Sequence, residues 1–525
     1  MKQTKQYALL SVFDKTGIID LAKYFVKKKI SIISTGGTAK LLKENKIPFI
    51  PIQDITKNPE SFDGRMKTIS FQVGSGILFD RTNKAHQKEA EVLEIPHIDF
   101  VVCNFYDFWK KPGIEMIDVG GPTMVRAAAK NFENVTVIVD PTDYAAVIKN
   151  GEADKEFRKY LAAKAFSYVA EYDGLIANYF QSLLPVIPSA PSRSEKYPWG
   201  ERSEPRDLFI SLQNGQQLRY GENPHQQGMF FKDKSAGDTL GLGEFVTLQG
   251  KPTSYSNYLD LDGGLHTLSL IGDTKPACVI LKHTNPCGAA VADTIEEAYQ
   301  KAWFEGDPLA AFGGVLFMNR PVTKSLAETM IADKKFFEIL AAPSFTKGAL
   351  EVFSKKPKLQ LLQNPALSDP FIKAFKEVKT VRGGYLMQDT DTAQVLKKQL
   401  HVVTKKKPTA KQIDDLLFAW KLSQVSKSNC VIAAKSGVML ASGVGQQDRK
   451  RCCELCVTKA LKPLIGAVAA TDGFFPFRDG PDVLIQAGIT AIIQPGGSIR
   501  DQETIDACNE AGIAMVFTHL RAFKH

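Results

Sequence analysis

Lys282 and His283 stand side by side directly after the apolar run 277–281 and ahead of Thr284, Asn285 and Pro286. Strand ends in α/β sheets are where ligands collect. An imidazole titrates near neutral pH and an ammonium can meet developing negative charge, so the pair suits proton transfer with a stabilised oxyanion. A lone His at a strand end is more often structural; an adjacent Lys and His point to catalysis. Upstream, residues 219–225 combine the phosphate-compatible Arg219 with Tyr220, turn residues and His225, which otherwise read as a surface turn.

A second group lies near the start of the chain. Thr35-Gly36-Gly37-Thr38 falls where a strand gives way to a helix, so backbone amides and the positive end of the helix dipole converge there and can hold an anion. A tight turn without a ligand would read the same way. Arg65 and Lys67, two apart after Asp63-Gly64, share one side of an extended backbone, and Arg126 and Lys130, four apart in an Ala-rich stretch, share a helix face. Four cations near a phosphate-sized turn, with Asn104, Tyr106 and residues 118–121, suggest a nucleotide.

These residues need elements to position them. Residues 1–150 alternate short β-rich runs with helical periodicity, the pattern of parallel strands joined by crossover helices in a doubly wound sheet. Ile18, Ile19, Leu21, Ala22, Phe25 and Val26 recur at helical spacing; residues 30–34, 98–105 and 135–139 read as strands, and 124–130 as helix. Residues 185–207 are rich in Pro, Ser, Arg and Glu and mark a domain boundary. Beyond it, strand-like runs at 277–281, 314–318, 431–434 and 491–494 alternate with helical stretches, so that region is α/β as well. It shows no fixed-period repeat, although two diverged subdomains would fit.

Bulk properties narrow the class. A chain of 525 residues should divide into two to four units, and 44% apolar with 23% charged residues is globular. Charges interrupt every apolar run below membrane-spanning length. The run 7–13 imitates a signal peptide, but Asp14 and Lys15 end it early, so a cytoplasmic location is expected. Eight scattered cysteines read as reduced thiols, with Cys452, Cys453 and Cys456 on one helix and no metal-ligand spacing beside them. The net charge of +9 suits acidic ligands; its dispersal in short runs such as 405–407 places nucleic-acid binding last.

The motifs resemble, over nearly the whole chain, the bifunctional purine-biosynthesis family with aminoimidazole carboxamide ribonucleotide (AICAR) formyltransferase and inosine monophosphate (IMP) cyclohydrolase activities. In the first part the similar segments are 11–17, 34–40, 64–68, 104–108 and 117–131. The resemblance implies a methylglyoxal-synthase-like cyclohydrolase domain, residues 1–188. There Lys130 would transfer a proton, and Lys67, Tyr106 and Asp118 would surround the reacting carboxamide and formyl groups. Asp14, Lys15, Thr35, Gly36, Gly37, Thr38, Arg65, Thr68 and Asn104 would bind the nucleotide. The chain departs from the family at Ile69-Ser70-Phe71 and Gly74-Ser75-Gly76, where two histidines are usual, and at Phe13 and Phe132. Those departures motivate an alternative, a monofunctional formyltransferase whose first domain serves for binding or dimerisation.

After a linker at 189–207, the resemblance implies a transferase region at 208–525, built from two cytidine-deaminase-like subdomains without zinc. Arg219-Tyr220, Lys282-His283, 311–314, Ser428-Asn429, 445–449, 474–479, 495–498 and Arg521 match in order. The acceptor amine is conjugated with its carboxamide and needs a base, which His283 fits, while Lys282 would steady the tetrahedral intermediate. Arg219, Tyr220, Gly313, Glu338, Asn429, Arg449, Phe474 and Arg521 would hold the ribonucleotide. Lys450, Asp479, Ser498 and Ile499 would meet the co-substrate 10-formyltetrahydrofolate. A homodimer and no catalytic metal are implied, a structural monovalent cation is left open, and neither nucleic acid nor membrane is an expected partner.

Overall fold

A computed structural model of the chain describes residues 5–62, 66–150, 154–183, 212, 215–232, 237–371 and 373–525. Contacts divide the chain into two units, Met1–Gln213 and Asn214–His525. The expected linker, 189–207, and Arg65 lie outside the described residues.

In the first unit five parallel strands form one sheet in the order Ile50–Pro51, Ser31–Ser34, Gln6–Val12, His97–Asn104, Thr136–Ile138. Helices cover both faces, which is why these strands read as continuous apolar runs: Ala8, Leu9, Leu10, Val101 and Val102 are fully buried. The helix Ile18–Lys27 buries Ile18, Leu21, Ala22 and Phe25 and leaves Val26 at the surface. Burial of each large side chain there is worth about 1.5–3 kcal/mol. Ser70 caps the helix Phe71–Leu78 by accepting the Val73 amide at 3.1 Å. The long helix Lys155–Leu183 packs on the helix Gly120–Lys130. Its Tyr172 hydroxyl donates to the Met116 carbonyl at 2.7 Å and accepts the Asp118 amide at 2.8 Å, which fixes the loop ahead of Gly120.

The second unit is organised on one twelve-stranded sheet made of two halves with the same topology. In the first half, the hairpin Ala277–Lys282 with Asn285–Val291 precedes the parallel strands Gly314–Met318, Phe337–Ala342 and Gln360–Gln363. In the second, the hairpin Val431–Lys435 with Val438–Gly443 precedes Val468–Thr471, Ala491–Gln494 and Ala514–Phe517. The halves join where Ala290 faces Val438 in antiparallel register. Each outer edge is closed by an antiparallel strand, Val246–Gln249 or His401–Val402. A helix precedes each hairpin, Tyr255–Ile271 and Ala410–Gln424, and both open with a capping box, at Ser254 and Thr409. These two helices share one core on the same face of the sheet, through Leu261, Leu265, Leu416 and Trp420. On the other face each half keeps its own core. These are the two subdomains, and their kinship lies in topology and burial pattern.

Lys282 ends a strand, as the sequence suggests; that strand is the first of a hairpin, and His283 and Thr284 form its two-residue turn. Both have positive φ, 52° and 64°. That pair of angles is the type I′ pattern, which matches strand twist and is ordinarily met by Asn or Gly. Pro286 is tolerated inside the second strand because the register shifts there.

Candidate active sites

In the first unit the anion-compatible turn is assembled by the central strands. Thr35 lies at the end of the strand Ser31–Ser34, and Gly36–Glu44 is helix, so the amides of Gly36 and Gly37 lie in its first turn. Gly36 has φ 54°, and a Cβ there would lie 3.7 Å from Lys67 Nζ; one on Gly37 would lie 3.5 Å from Lys15 Nζ. Two ammonium groups therefore flank the glycine pair. Lys15 Nζ also donates to the carbonyls of Val12 and Phe13, at 3.1 and 3.2 Å. Thr38 holds the end of the first strand through both the amide and the carbonyl of Val12, at 3.0 and 3.1 Å. Asn104 clamps the next loop, accepting the amides of Phe13 and Asp14 at 2.6 and 2.8 Å. Among the described residues the buried Thr35 hydroxyl has no hydrogen-bond partner, a polar atom a ligand would satisfy.

Asp118 faces the same turn. Burial pushes its carboxyl above the usual range, while the amides of Gly121 and Gly120 and the charge of Lys67 pull it back. Its Oδ1 accepts the Gly121 amide at 2.8 Å. A Cβ on Gly120 would meet the Thr68 hydroxyl at 2.3 Å, so only glycine lets Thr68 approach that helix start. Tyr106 packs edge-on against Phe13, centroids 5.6 Å apart. Lys67 thus lies beside Gly36 and acts on Asp118, and Thr68 meets the helix start at Gly120. Lys130 ends the helix that Gly120 begins, about 15 Å from that start at 1.5 Å per residue. Lys130 and Asp118 both line a cavity of about 1040 Å³ that also includes Arg126, Lys159 and Asp173. Arg126 and Lys130 do share a face, as their spacing implies.

In the second unit the His283 turn is pinned from three sides. Lys282 Nζ donates to the Phe312 carbonyl at 2.7 Å, beside Gly313 at φ 76°. Asp260, buried on the preceding helix, accepts the Thr284 amide at 2.6 Å. Asn285 donates to the His283 carbonyl at 2.8 Å and accepts the Lys427 amide at 2.8 Å. Glu338 receives the Asn257 side chain at 3.2 Å, one turn of helix before Asp260.

Lys427 leads into Ser428-Asn429, where a buried network begins. Arg449 donates to the Asn429 side chain at 2.6 Å, to the Thr471 hydroxyl at 2.6 Å and to Asp472, with which it forms an ion pair inside the protein. Asp472 also accepts the Cys430 amide at 2.9 Å and the Ser428 hydroxyl at 2.5 Å. The next residue, Gly473, lies against Phe523, and Arg521 stacks on that same ring at 4.6 Å. Sequence reasoning missed Asp260, Asn285 and Asp472. Asn285 stood within the quoted motif, whereas nothing local marks a helical Asp as the partner of a turn 24 residues away.

The remaining positions are more exposed. Arg219 stacks on Tyr220 at 4.7 Å and donates to its hydroxyl at 2.8 Å. Lys450 pairs loosely with Glu454 at 3.8 Å, and Asp479 opens the helix Asp479–Gln486. Ser498 accepts the Arg500 amide at 3.1 Å beside the fully exposed Ile499. Among the described residues no group of three or more His, Cys, Asp or Glu is placed to hold a metal, and no helix is long and apolar enough to cross a membrane. All eight cysteines are buried and unpaired; Cys452 donates to the Asn429 carbonyl at 3.2 Å.

A methylglyoxal-synthase-like unit with a cation-flanked anion turn, joined in one chain to a duplicated α/β unit with a Lys-His hairpin, defines a class of two-site α/β enzyme. Residues 17–123 match the MGS-like domain model and residues 128–459 the AICARFT/IMPCHase bienzyme model. The bifunctional purine biosynthesis protein PurH of Caldicellulosiruptor saccharolyticus is 43% identical over 537 residues, covering 99% of both chains. That of Acetivibrio thermocellus is 42% identical over 532 residues, again covering 99% of both. A solved structure described as "Crystal structure of ForH" aligns with 33% of this chain and 96% of its own at 34% identity, with a TM-score of 0.31. The chain belongs to the AICARFT/IMPCHase bienzyme family. It is a bifunctional enzyme of purine biosynthesis with formyltransferase and cyclohydrolase activities, acting on small molecules with a folate co-substrate; a transferase with an idle first domain is not favoured.

Proposed function

We propose that formyl transfer runs on the His283 hairpin and ring closure on the Lys67–Asp118 cluster. With AICAR bound, His283 takes a proton from the acceptor amine as its nitrogen bonds to the formyl carbon of 10-formyltetrahydrofolate. Lys282 spends one donor on Phe312, which leaves two N–H groups for the oxyanion of the tetrahedral intermediate. That intermediate collapses by breaking the bond to N10, which leaves with a proton as tetrahydrofolate, and formyl-AICAR remains. The observation that carries this reading is the restraint on the His283 turn by Lys282, Asp260 and Asn285, which supports a preorganised base.

Arg219, Tyr220, Gly313, Glu338, Asn429, Phe474 and Arg521 would hold the ribonucleotide, with Arg449 acting by fixing Asn429. Lys450, Asp479, Ser498 and Ile499 would face the folate. A homodimer and a cytoplasmic location belong to the same reading.

For ring closure, the carboxamide nitrogen of formyl-AICAR attacks its own formyl carbon, so both reacting groups arrive in one molecule. Lys67 and Tyr106 would stabilise the oxyanion, Asp118 would receive the nitrogen's proton, and water leaves as IMP forms. The phosphate would sit at Gly36–Thr38 with Lys15 beside it. Lys130, lining the cavity with Asp118, would serve a proton path to solvent. The test supplies purified enzyme with AICAR and 10-formyltetrahydrofolate while following folate release and IMP formation separately. His283→Ala should abolish the first signal yet still convert supplied formyl-AICAR to IMP. Folate release undiminished in that variant would reject the assignment.

A further inference from the structure

The two halves of the second unit carry the same hairpin cradle, and only one of them carries a histidine. Asp260 and Asp415 are each the sixth residue of the helix before their hairpin. Asp415 accepts the amides of Ser436 and Gly437, at 2.9 and 2.8 Å, as Asp260 accepts that of Thr284. Both turns have two consecutive positive φ values, 52° and 64° at His283-Thr284 and 54° and 71° at Ser436-Gly437. Lys435 repeats the tether of Lys282, donating to the Ile465 carbonyl at 2.8 Å beside Gly466 at φ 75°. The cradle is therefore a structural device of the duplicated fold.

The halves differ in what the turn demands. Gly437 adopts the left-handed conformation freely, whereas Thr284 is β-branched and is strained there. His283 adds a second strained residue. A turn with no glycine gains from an external hold, and here the buried Asp260 accepts the Thr284 amide while Asn285 donates to the His283 carbonyl.

We infer that Asp260 is a positioning residue for formyl transfer: its carboxylate, bonded to the Thr284 amide, holds the left-handed turn from which His283 projects. The inference rests on the reading of His283 as the transferase base. Asp260 itself need not touch substrate. Its desolvation raises the carboxyl from the usual range and the Thr284 amide draws it back, in keeping with a buried acceptor committed to that one amide.

The test uses the full-length enzyme, with cyclisation of supplied formyl-AICAR as an internal control for folding. Asp260→Ala should lower kcat for formyl transfer about 100-fold, the scale of a catalytic group displaced by an ångström, with KM for AICAR and the cyclisation rate within about threefold. Asp260→Asn keeps an acceptor for Thr284 and should stay within about fivefold of the parent. Thr284→Gly removes the left-handed strain and should recover at least about tenfold in the Asp260→Ala background. Full transfer activity in Asp260→Ala overturns the inference. So does an Asp260→Asn variant as impaired as the alanine one with no recovery from Thr284→Gly. Should Asp260→Ala not fold, Asp260→Asn decides alone: near-parent kcat supports the hold, and a 100-fold loss rejects it. His283→Ala run in parallel separates the two layers, because transfer surviving that change rejects the base assignment itself.

Discussion

The Asn285 side chain donates to the His283 carbonyl at 2.8 Å and, through its oxygen, accepts the Lys427 amide at 2.8 Å. One carboxamide thereby ties the hairpin turn of one half to the segment carrying Asn429 in the other. Asn285→Ala removes both bonds and leaves the Lys427 amide unpaired, at a cost of about 1–3 kcal/mol. Formyl-transfer kcat is expected to fall about 10- to 100-fold, with IMP formation from formyl-AICAR unchanged. Steady-state assays of the two half-reactions on one preparation check it.

The buried Arg449–Asp472 pair makes a prediction about stability. Asp472→Ala would leave the Arg449 guanidinium enclosed without its countercharge, a loss of about 3–5 kcal/mol. Replacing both residues by leucine should cost less than that single change, because no charge stays buried. Denaturant titration followed by fluorescence, with retained cyclisation as a marker of the first unit, would measure both. Formyl transfer should vanish in the double variant, since Asn429 loses Arg449, its side-chain partner.

Asp118 gives a pH dependence whose sign follows from its environment. Burial raises its folded-state pKa above the ordinary 3.8, so the native state binds that proton more readily than the unfolded chain. The stabilising contribution is complete below about 3.8 and is lost as pH rises through the raised value. Asp118→Asn should accordingly be at least as stable as the parent at pH 7, with the advantage shrinking on acidification. Cyclisation should fall by about 100-fold or more because an amide cannot take the proton. Thermal melts at several pH values, beside cyclisation rates at pH 7, decide it.

Lys67 and Lys130, which the family resemblance groups together, are held by different elements: Lys130 ends the helix Gly120–Lys130, and Lys67 precedes the helix Phe71–Leu78. Lys67 lies against Gly36 and within the field of Asp118, whereas Lys130 sits a helix length from Gly120. Lys67→Met should reduce cyclisation by about 1000-fold, the scale of a lost oxyanion donor. Lys130→Met should reduce it by no more than about tenfold to 100-fold. Single-turnover rates with formyl-AICAR separate them, and an equal loss in both would contradict the placement of Lys67.

Much of the secondary structure was legible because hydrophobic period encodes it. The runs at 30–34, 98–105, 277–281, 314–318 and 491–494 all fall on strands, and the spacing of Ile18, Leu21, Ala22 and Phe25 on a buried helix face. The His283 hairpin was not legible as a hairpin. Two-residue turns announce themselves through Asn or Gly, and His-Thr carries neither signal. The duplication of the second unit left no fixed-period repeat and was implied only by the family resemblance, since the halves share topology and capping while their side chains diverge.

By itself the sequence determined the α/β class, the order of elements and the residues able to do chemistry, because periodicity, turn residues and motif order are local properties. Only the tertiary structure decided which of those residues meet. Asp260 reaches Thr284, Asn285 reaches Lys427 across 142 residues, and Lys67 comes within the field of Asp118. Such pairings depend on strand order, register and helix length, which bring distant positions together through burial of the whole core and leave no mark on either neighbourhood of the chain.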